Sequence, residues 1–584
     1  MSLLIWEPNR KRLTLELLFR TTSQTKIAIL KSASGKRLRA MQKTFSDTLS
    51  LWQDEGRQVI PENHARFRGL VAQAAKHVKH RQYRMAAVYG EMAAAFASGK
   101  SCGLFSSPEL EQVLVSIGEN VISSRNDGTY NTQPNGIRQV LHVATSMGSI
   151  GGHSRMLWRW IQQDKERSHS LVLTRQDLKE IPELLQNAIS KSGGKIHLLN
   201  RSAGNLISWA QLLRKISATA DLVVLHTNSN DVIPVIAFAK KENSPPVILL
   251  DHADHLFWPG IGISDLVVSL RESGMQLARH RRGIEPERNV LLPVILEPTH
   301  RKLSRLQAKQ QLGIPENSIL ILSIARRVKY KTIAGLSFAD AHIPVLSQFP
   351  DAMLIVIGPG QQADWLPAIE QTQRRIRVLS ETEHTDVFYQ AADIYVDSFP
   401  FVSNTSLLEA GSYGTPLVSR YPYNSEACGI LGADMPGLTG NLIRVNNLED
   451  YTAVLANLIQ NSEFRLSLGA ITQKKITETH LEDHWQNFLD QTYHDAVTVS
   501  KISAAPNQKD QMSLGEPDIL MPRVHDIDFT FDQLVQWNLP LMPFTARLSA
   551  WLRLLKKLGY QKNPLNLLLP EWMRMRYYSR ASSS

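Results

Sequence analysis

Short apolar segments recur along the middle of the chain, and a stretch of helical character follows each of them. Six lie in the first series, at residues 140–144, 170–174, 195–199, 221–226, 247–250 and 266–269. Five more form a second series, at residues 319–325, 352–357, 376–379, 394–397 and 416–419. Apolar strands that alternate with helices are typical of βαβ units with parallel sheets. The pattern therefore predicts an α/β fold with two doubly wound, Rossmann-like domains in tandem, at residues 137–295 and 296–495.

Two further regions flank these domains. Residues 1–130 are predicted to be mostly helical, because Tyr83–Ala97 carries small residues at helical spacing and Ser107-Pro108 is a good helix start. The turn-rich residues 123–136 are predicted to be a linker. Residues 496–584 are predicted to contain a polar linker and then a basic helical tail.

The tail contains a cationic amphipathic helix. One helical face of the segment that begins at residue 544 collects its apolar side chains, which are Phe544, Leu548, Trp551, Leu552 and Leu555. Such a helix is typical of an interfacial membrane helix, but a helix packed back on a domain has the same pattern. The sequence leaves both interpretations open.

Charge and cysteine content limit the possible function classes. The 65 Lys and Arg residues exceed the 54 Asp and Glu residues by 11, which suits a nucleotide phosphate, an anionic membrane surface or nucleic acid. The two cysteines, Cys102 and Cys428, provide neither a disulfide framework nor a zinc pattern. No apolar run is long enough to cross a membrane, and no signal sequence is evident at the start. We therefore expect a cytoplasmic protein, with peripheral binding at the inner face of the membrane as an option.

Glycine-rich and basic turns follow several predicted strands. Gly151-Gly152 follows the first strand, and Gly358-Pro359-Gly360 follows a strand of the second domain. Arg326 and Lys331 stand five residues apart after the second domain's first strand, so both side chains could reach one diphosphate. None of these signals is specific alone, and the Gly-Gly spacing does not fit a dinucleotide oxidoreductase.

The most informative segment runs from Asp397 to Pro416. After the strand, Ser403, Asn404 and Thr405 are predicted to cap a helix and to offer hydroxyl and N–H groups to a phosphate. Glu409 lies one turn further along, where a carboxylate can accept hydrogen bonds from ribose hydroxyls.

Together these motifs resemble nucleotide-sugar glycosyltransferases of the GT-B fold, in particular those with a glycosyl transferases group 1 domain. The resemblance covers about residues 138–490. It implies two domains that face a cleft, with Arg326 and Lys331 on the donor diphosphate and Glu409 on the donor ribose. Gly358, Asn404 and Thr405 would complete the donor site. No cofactor is implied, because the nucleoside-diphosphate sugar is a substrate.

The resemblance also extends to the first domain. Gly151 and Gly152 match the family's Gly-Gly loop and would shape the cleft on the acceptor side. His226, after an apolar strand, is similar to the family's histidine in this domain and is the predicted catalytic residue. His252 and His255 are predicted to orient acceptor or donor, with structural roles and a metal site as alternatives; we predict no metal.

The chain departs from the family at one position. The family usually carries Glu-x7-Glu, but the residue eight positions before Glu409 is Phe401. The segment 397–416 is also similar to inverting O-GlcNAc transferase-like enzymes, so the stereochemistry stays open. We expect sugar transfer to a glycan, lipid-linked or protein acceptor. The alternatives are a sugar-nucleotide epimerase, a degenerate binding scaffold and a nucleic-acid binder. We expect no nucleic-acid partner, because nucleic-acid binding would explain the positive charge but not these motifs.

Overall fold

A computed structural model describes residues 33–123, 136–149, 151–241, 244–299, 301–333, 335–423, 431–502, 508–558 and 564–575. The predicted linker after Ser123 and the first 32 residues of the predicted helical region lie mostly or wholly outside these ranges. In the ranges described, no helix is both long and apolar enough to cross a membrane.

Two parallel sheets form the centre of the structure. The strands of the first sheet are β1 Gln139–Ala144, β2 Ser168–Leu173, β3 Ile196–Leu198, β4 Leu222–His226, β5 Val247–Asp251, β6 Leu266–Ser269 and β7 Asn289–Leu291. Those of the second are β8 Ile319–Ile324, β9 Ala352–Gly358, β10 Ile376–Ser380, β11 Ile394–Val396, β12 Leu417–Arg420 and β13 Leu442–Val445. The strand orders are 3-2-1-4-5-6-7 and 10-9-8-11-12-13, which reverse direction at the first strand of each sheet. These sheets confirm the predicted pair of doubly wound α/β domains.

Helices lie between and beyond the strands. Those of the first half are α1 Ala33–Lys79, α2 Tyr83–Gly99, α3 Pro108–Val121, α4 Gly152–Gln163, α5 Glu183–Lys191, α6 Leu206–Ser217, α7 Ile233–Ala237 and α8 Glu272–Arg282. Those around the second sheet are α9 Arg305–Gln311, α10 Ile343–Gln348, α11 Leu366–Gln371, α12 Asp386–Ala391, α13 Asn404–Ser412, α14 Leu448–Gln460 and α15 Ser462–His480. The last are α16 Glu482–Thr498, α17 Met521–Val524, α18 Phe531–Asn538 and α19 Phe544–Leu558.

Contacts divide the chain into two units, and neither is continuous in sequence. One unit consists of Met1–Gln53 with Pro298–Leu481 and contains the second sheet. The other consists of Asp54–Glu297 with Glu482–Ser584 and contains the first sheet. We call them the 298–481 unit and the 54–297 unit.

Residues 54–79 of α1, together with α2 and α3, belong to the core of the 54–297 unit. Phe67, Met92 and Leu114 are buried together with β1 and with Leu534 and Ala550 of the last helices. Ser107 caps α3 by accepting a hydrogen bond from the Leu110 N–H, as its sequence predicts. The buried carboxylate of Glu111 then accepts hydrogen bonds from the N–H groups of Gly260 and Gly262, which fixes α3 to the sheet domain.

Residues 508–530, which include the short helix α17, are hydrogen-bonded to the rest of the same unit. Asp510 accepts a hydrogen bond from the Ser107 hydroxyl at 2.6 Å, and the Ile527 N–H donates to the carbonyl of Gly99 at 2.9 Å. Arg281 forms a bidentate ion pair with Asp518, with both N–O distances at 2.8 Å. The segment thus ties the helices before β1 to α8.

The amphipathic tail helix α19 is present and packs against the unit. Ala550 is buried, and Ala546, Trp551 and Leu554 contact the core. Two residues of the predicted apolar face instead point outward, because Phe544 is 64% exposed and Leu552 is 46% exposed. The helix therefore has one apolar edge in the core and another in solvent.

Candidate functional site

The candidate donor-site residues of the 298–481 unit follow three neighbouring strands. Arg326 follows β8, Gly358 ends β9, and Asp397 follows β11. These strands are adjacent in the sheet order 9-8-11, and their carboxyl ends meet at one edge because the strands are parallel. Ligands of open α/β sheets bind beyond this edge.

The loop after β8 is joined to the loop after β11. The N–H of Lys331 donates a hydrogen bond to the carbonyl of Phe399 at 3.2 Å, and Tyr330 forms an antiparallel bridge with Pro400. The Lys329 ammonium donates to the carbonyl of Val402 at 2.7 Å. The segment that carries Arg326 and Lys331 is therefore fixed to the segment that leads into α13.

Gly358 has a structural reason to be glycine. Its φ is +116°, and a Cβ built on it would lie 1.9 Å from the carbonyl oxygen of Ala325. No side chain fits there, so the ends of β8 and β9 touch through backbone alone. This contact places the Gly358 turn directly against the residue before Arg326.

Asp397 shapes the loop between β11 and α13. Its buried carboxylate accepts hydrogen bonds from the N–H groups of Ser398 and Ser403, both at 2.9 Å, and from the hydroxyl of Ser419 at 3.1 Å. Burial raises the pKa of Asp397 to about 6, although the Ser403 N–H and the Lys329 charge oppose the change. The sequence indicates only that a strand ends at this residue, and three-dimensional contacts are needed to find its bonding role.

The first turn of α13 lacks the predicted side-chain cap. Ser403 is the N-cap residue, but its hydroxyl bonds to that of Ser406 at 3.1 Å instead of to a backbone N–H. The expected capping by Ser403 is therefore wrong. Among the described residues, the buried Oδ1 of Asn404 also has no hydrogen-bond partner. The first-turn N–H groups of a helix have no partner within the helix, so those of α13, including that of Thr405, can donate to another group, and Asn404 Oδ1 can accept a hydrogen bond.

Glu409 is half-buried one helical turn after Thr405. Its Oε2 accepts a hydrogen bond from the Tyr389 hydroxyl at 3.2 Å, and the Tyr389 ring stacks on that of Tyr413 with centroids 5.7 Å apart. Residues four apart share a helix face, so Thr405 and Glu409 lie on one face of α13.

The remaining predicted residues belong to the 54–297 unit. Gly151 has a φ of +130° and is the N-cap of α4, which begins at Gly152. His252 and His255 both lie near Asp254. The Nδ1 of His252 lies 3.3 Å from the carbonyl of Leu250, and that of His255 lies 3.5 Å from Asp254. In the part of the chain that the structure describes, no group of three His, Cys, Asp or Glu side chains is placed to hold a metal ion.

His226 lies at one end of a buried row of histidines that the sequence does not reveal. Its Nε2 is 3.0 Å from Nδ1 of His142, and Nε2 of His142 is 2.9 Å from Nδ1 of His169. Nε2 of His169 in turn lies 3.3 Å from the carboxylate of Asp164. His142 and His226 are 84 residues apart in the chain, and nothing in the sequence links them.

The 298–481 unit is thus a doubly wound α/β domain with basic residues and the N-terminus of α13 at the carboxyl edge of its sheet. Residues 304–475 match the family model described as glycosyl transferases group 1. This part of the chain is a glycosyl transferases group 1 domain, and the resemblance in its motifs is confirmed.

One curated relative matches over a limited span. It is a D-inositol 3-phosphate glycosyltransferase of Thermobifida fusca (strain YX), 26% identical over 223 residues. The match covers 35% of this chain and 49% of the relative, so the chain spans about half the length of the curated protein it matches.

Solved structures with a similar fold include glycosyltransferases. A glycosyltransferase from Rickettsia africae ESF-5 matches with a TM-score of 0.48 and 12% identity, over 62% of this chain and 100% of that chain. An O-GlcNAc transferase from Thermobaculum terrenum matches with a TM-score of 0.44 and 14% identity, over 84% of this chain and 98% of that chain. Because these TM-scores are below 0.5, the family assignment rests on the family model.

Proposed function

We propose that the protein is a glycosyltransferase that moves a sugar, of the hexosyl type, from a nucleoside-diphosphate sugar to a glycan, lipid-linked or protein acceptor. The observation that carries the proposal is the arrangement beyond β8, β9 and β11. There, inside a glycosyl transferases group 1 domain, the Arg326–Lys331 loop is bonded to the loop that opens α13.

The proposed chemistry is charge stabilisation at the leaving group. As the bond between sugar and diphosphate breaks, negative charge grows on the diphosphate oxygens. Arg326, Lys331 and the first-turn N–H groups of α13 would hold that charge, and preorganised donors of this kind lower the barrier. Glu409 would accept hydrogen bonds from the ribose hydroxyls. These groups supply the charge compensation from the protein itself.

The proposal is tested by ligand-induced stabilisation and by kinetics. A nucleoside diphosphate at about 100 times its dissociation constant should stabilise the protein by roughly 2.7 kcal/mol, and Glu409→Ala should abolish that shift. Lys331→Ala should remove a contact worth roughly 1.5–3 kcal/mol, a loss of about 10- to 150-fold in kcat/KM for the donor.

The matched control is Arg327→Ala, which removes an exposed cation from the same loop. It should leave both readouts nearly unchanged. No stabilisation by any nucleotide or nucleotide sugar in a broad panel would contradict the proposed donor site.

A second candidate is a scaffold that binds nucleotide sugar without transferring it. It is favoured by the residue at the position of the family's first acid, because Phe401 there carries the Lys329 ammonium 5.2 Å from its ring centroid. A phenyl ring at this position cannot accept hydrogen bonds from sugar hydroxyls as a carboxylate would. Nucleotide binding with no turnover over a panel of acceptors would select this candidate, and any measurable transfer would exclude it.

For the acceptor, we propose a lipid-linked molecule. We also propose that the surface around its binding site contacts a membrane with anionic phosphate groups. A cavity of about 1110 Å³ opens between the helices of the 54–297 unit. Its apolar lining includes Met85, Tyr89, Met92, Val535, Met542 and Leu554. Apolar walls of this extent suit a hydrocarbon chain.

The charge around the cavity is complementary to a phosphate headgroup. Arg81, Arg84, Arg553 and Lys557 line it, with Asp532 as the acid among the lining residues. Lys557 neutralises Asp532 at 2.6 Å, so the three arginines leave a positive excess. Phe531, Trp537, Phe544 and Leu552 are exposed on the same helical region, as expected of a surface that enters a headgroup layer.

Vesicle sedimentation tests this part of the proposal. Binding to phosphatidylcholine vesicles that contain phosphatidylglycerol should exceed binding to phosphatidylcholine alone and should fall as salt rises. The double variant Arg84→Glu with Arg553→Glu should lose at least 10-fold in binding. Its control, Arg66→Glu with Arg68→Glu, makes the same charge change at two exposed positions of α1.

A soluble probe separates the cavity from the surface. Dodecyl phosphate should stabilise the protein, and Ser549→Trp, at an exposed position that lines the cavity, should block that effect. Vesicle binding that survives Ser549→Trp while the dodecyl phosphate effect is lost would assign the surface to membrane lipid and the cavity to the lipid-linked acceptor. Equal vesicle binding by both double variants would contradict the proposal.

A further inference from the structure

A buried tyrosine contacts the carboxylate that is proposed to hold the donor ribose. Tyr389 lies on α12, and its hydroxyl donates a hydrogen bond to Oε2 of Glu409 on α13 at 3.2 Å. Glu409 is half-buried and therefore partly open to solvent, whereas Tyr389 is buried. A hydrogen bond to a carboxylate is stronger than one between neutral groups, so this bond can hold the Glu409 side chain in one orientation.

Neighbouring aromatic rings hold Tyr389 in place. Its ring stacks on that of Tyr413, which follows α13, with the centroids 5.7 Å and the planes 14° apart. The ring of Tyr395 on β11 lies 6.3 Å from that of Tyr389 between centroids. The Tyr395 hydroxyl accepts from the N–H of Ile324 and donates to its carbonyl, both at 3.1 Å. Ile324 ends β8 two residues before Arg326, so this group of rings connects Glu409 with the start of the basic loop.

A guanidinium group joins the ends of the two helices that carry the pair. Arg301 donates to the carbonyl of Gln390 at 2.8 Å and to the carbonyl of Tyr413 at 3.1 Å. Gln390 directly follows Tyr389 on α12, and Tyr413 lies four residues after Glu409. The contact between Tyr389 and Glu409 is therefore supported by backbone contacts of both helices.

We infer that Tyr389 is a positioning residue that orients Glu409 toward both ribose hydroxyls of the donor and gives the site a preference for ribonucleotides over 2′-deoxyribonucleotides. The inference rests on the proposed donor site. A carboxylate can accept about four hydrogen bonds, so the Tyr389 hydroxyl and two ribose hydroxyls can bond to Glu409 together. A glutamate that is already oriented loses less side-chain entropy when the nucleotide binds, which increases the affinity.

A purely structural role for Tyr389 predicts a different result. Loss of a structural contact would weaken the binding of ribonucleotides and deoxyribonucleotides to the same extent. A residue that acts through Glu409 would affect ribonucleotides more, because only they offer both hydroxyls to the carboxylate. Tyr389→Phe separates the two roles, since it keeps the ring in its packing and removes the hydroxyl alone.

Isothermal titration calorimetry on the full-length protein provides the test. The probes are uridine, guanosine and adenosine diphosphates, each with its 2′-deoxy form. The native protein should bind a ribonucleotide about 10-fold more tightly than its deoxy form, as expected for one hydrogen bond to a charged group. Tyr389→Phe should weaken ribonucleotide binding about 10-fold and deoxyribonucleotide binding about twofold, so the preference should fall to about twofold.

Two further variants serve as controls. Tyr395→Phe also removes a hydroxyl from the same group of rings, but that hydroxyl bonds to the backbone of Ile324. This variant should keep the preference at about 10-fold, whatever its effect on the melting temperature. Glu409→Gln should reduce the preference by itself. Adding Tyr389→Phe to it should change ribonucleotide binding by less than about twofold, because Tyr389 acts through the carboxylate.

The outcomes separate this inference from the proposed function. A preference that survives Tyr389→Phe, or one that Tyr395→Phe reduces equally, would overturn the role of Tyr389. Equal affinity of the native protein for a ribonucleotide and its deoxy form would also overturn it, because Glu409 would then not contact both hydroxyls. If the native protein binds none of these nucleotides, the proposed donor site itself is contradicted.

Discussion

At the scale of single residues, the glycine at the end of β9 does more than allow a turn. A side chain at Gly358 would clash with backbone, and the φ of +116° is one that residues with a Cβ rarely adopt. Gly358→Ala should therefore destabilise the 298–481 unit by about 3 kcal/mol or more, from combined clash and strain. Differential scanning calorimetry would measure the loss.

The matched control for that variant is Gly360→Ala, two residues further on. Gly360 has a φ of +65°, but the nearest atom to a Cβ there is the Ser380 hydroxyl at 3.4 Å. Only the conformational cost of about 1 kcal/mol remains. Equal losses in the two variants would show that the Gly358 contact with Ala325 does not matter for stability.

A buried ion pair in the 54–297 unit gives a pH-dependent prediction. Asp254 accepts two hydrogen bonds from Arg271, at 2.6 and 3.1 Å. Burial alone would raise the pKa of Asp254, but the Arg271 charge and the hydrogen bonds from His255 and Arg271 hold it well below its usual range. A carboxyl whose pKa is lower in the folded state adds stability above its ordinary pKa, and this contribution declines as the pH falls below about 4.

Asp254→Asn should accordingly cost about 3–5 kcal/mol at pH 7, because Arg271 stays buried without a charged partner. The cost should shrink between pH 5 and pH 3. Urea unfolding at several pH values would measure it, with Glu119→Gln at an exposed position of α3 as the control. A cost that does not vary with pH would show that the pair does not set the pKa of Asp254.

At the scale of elements, the tail helix shows where periodicity stops being informative. The apolar pattern predicts a helix from Phe544 but not which apolar edge enters the core. Leu554 packs against the core, whereas Leu552 on the neighbouring edge is 46% exposed. Leu554→Ala should cost about 2 kcal/mol and Leu552→Ala under 0.5 kcal/mol in thermal or urea unfolding. A reversed order would mean that the other edge of α19 is buried.

The strands can be predicted from the sequence more completely than the loops and side-chain contacts at their ends. All eleven strands predicted from apolar runs are present with small shifts at their ends, because buried parallel strands need continuous apolar sequence. Two were missed, Asn289–Leu291 and Leu442–Val445. These edge strands are three and four residues long and carry polar or half-buried side chains, so their sequences lack the signal.

The candidate donor site divides in the same way. Arg326, Lys331 and Glu409 could be singled out because the family's motifs are local in sequence. The row of His142, His169 and His226 could not be, because its residues lie far apart in the chain. They meet only through the register of β1 with β2 and β4, which pairs Val140 with His169 and Ala144 with His226.

At the scale of the whole molecule, the chain returns to its first half after completing the second sheet. Helix α16, at Glu482–Thr498, belongs to the 54–297 unit although the 298–481 unit precedes it. The indole N–H of Trp485 donates to the carbonyl of Pro293 at 2.7 Å, and the ring is fully buried 5.9 Å from that of Trp160. The first sheet's core is therefore complete only after the second domain has been synthesised.

Trp485→Ala should test this dependence. It should destabilise the 54–297 unit by about 3–5 kcal/mol, because a large buried ring is lost and the Pro293 carbonyl loses its donor. Phe488→Ala removes an exposed ring from the same helix and should cost under 1 kcal/mol. Tryptophan fluorescence and calorimetry would follow the unfolding of each variant. If the two substitutions cost the same, α16 is not part of that core, and the unit would be complete at Glu297.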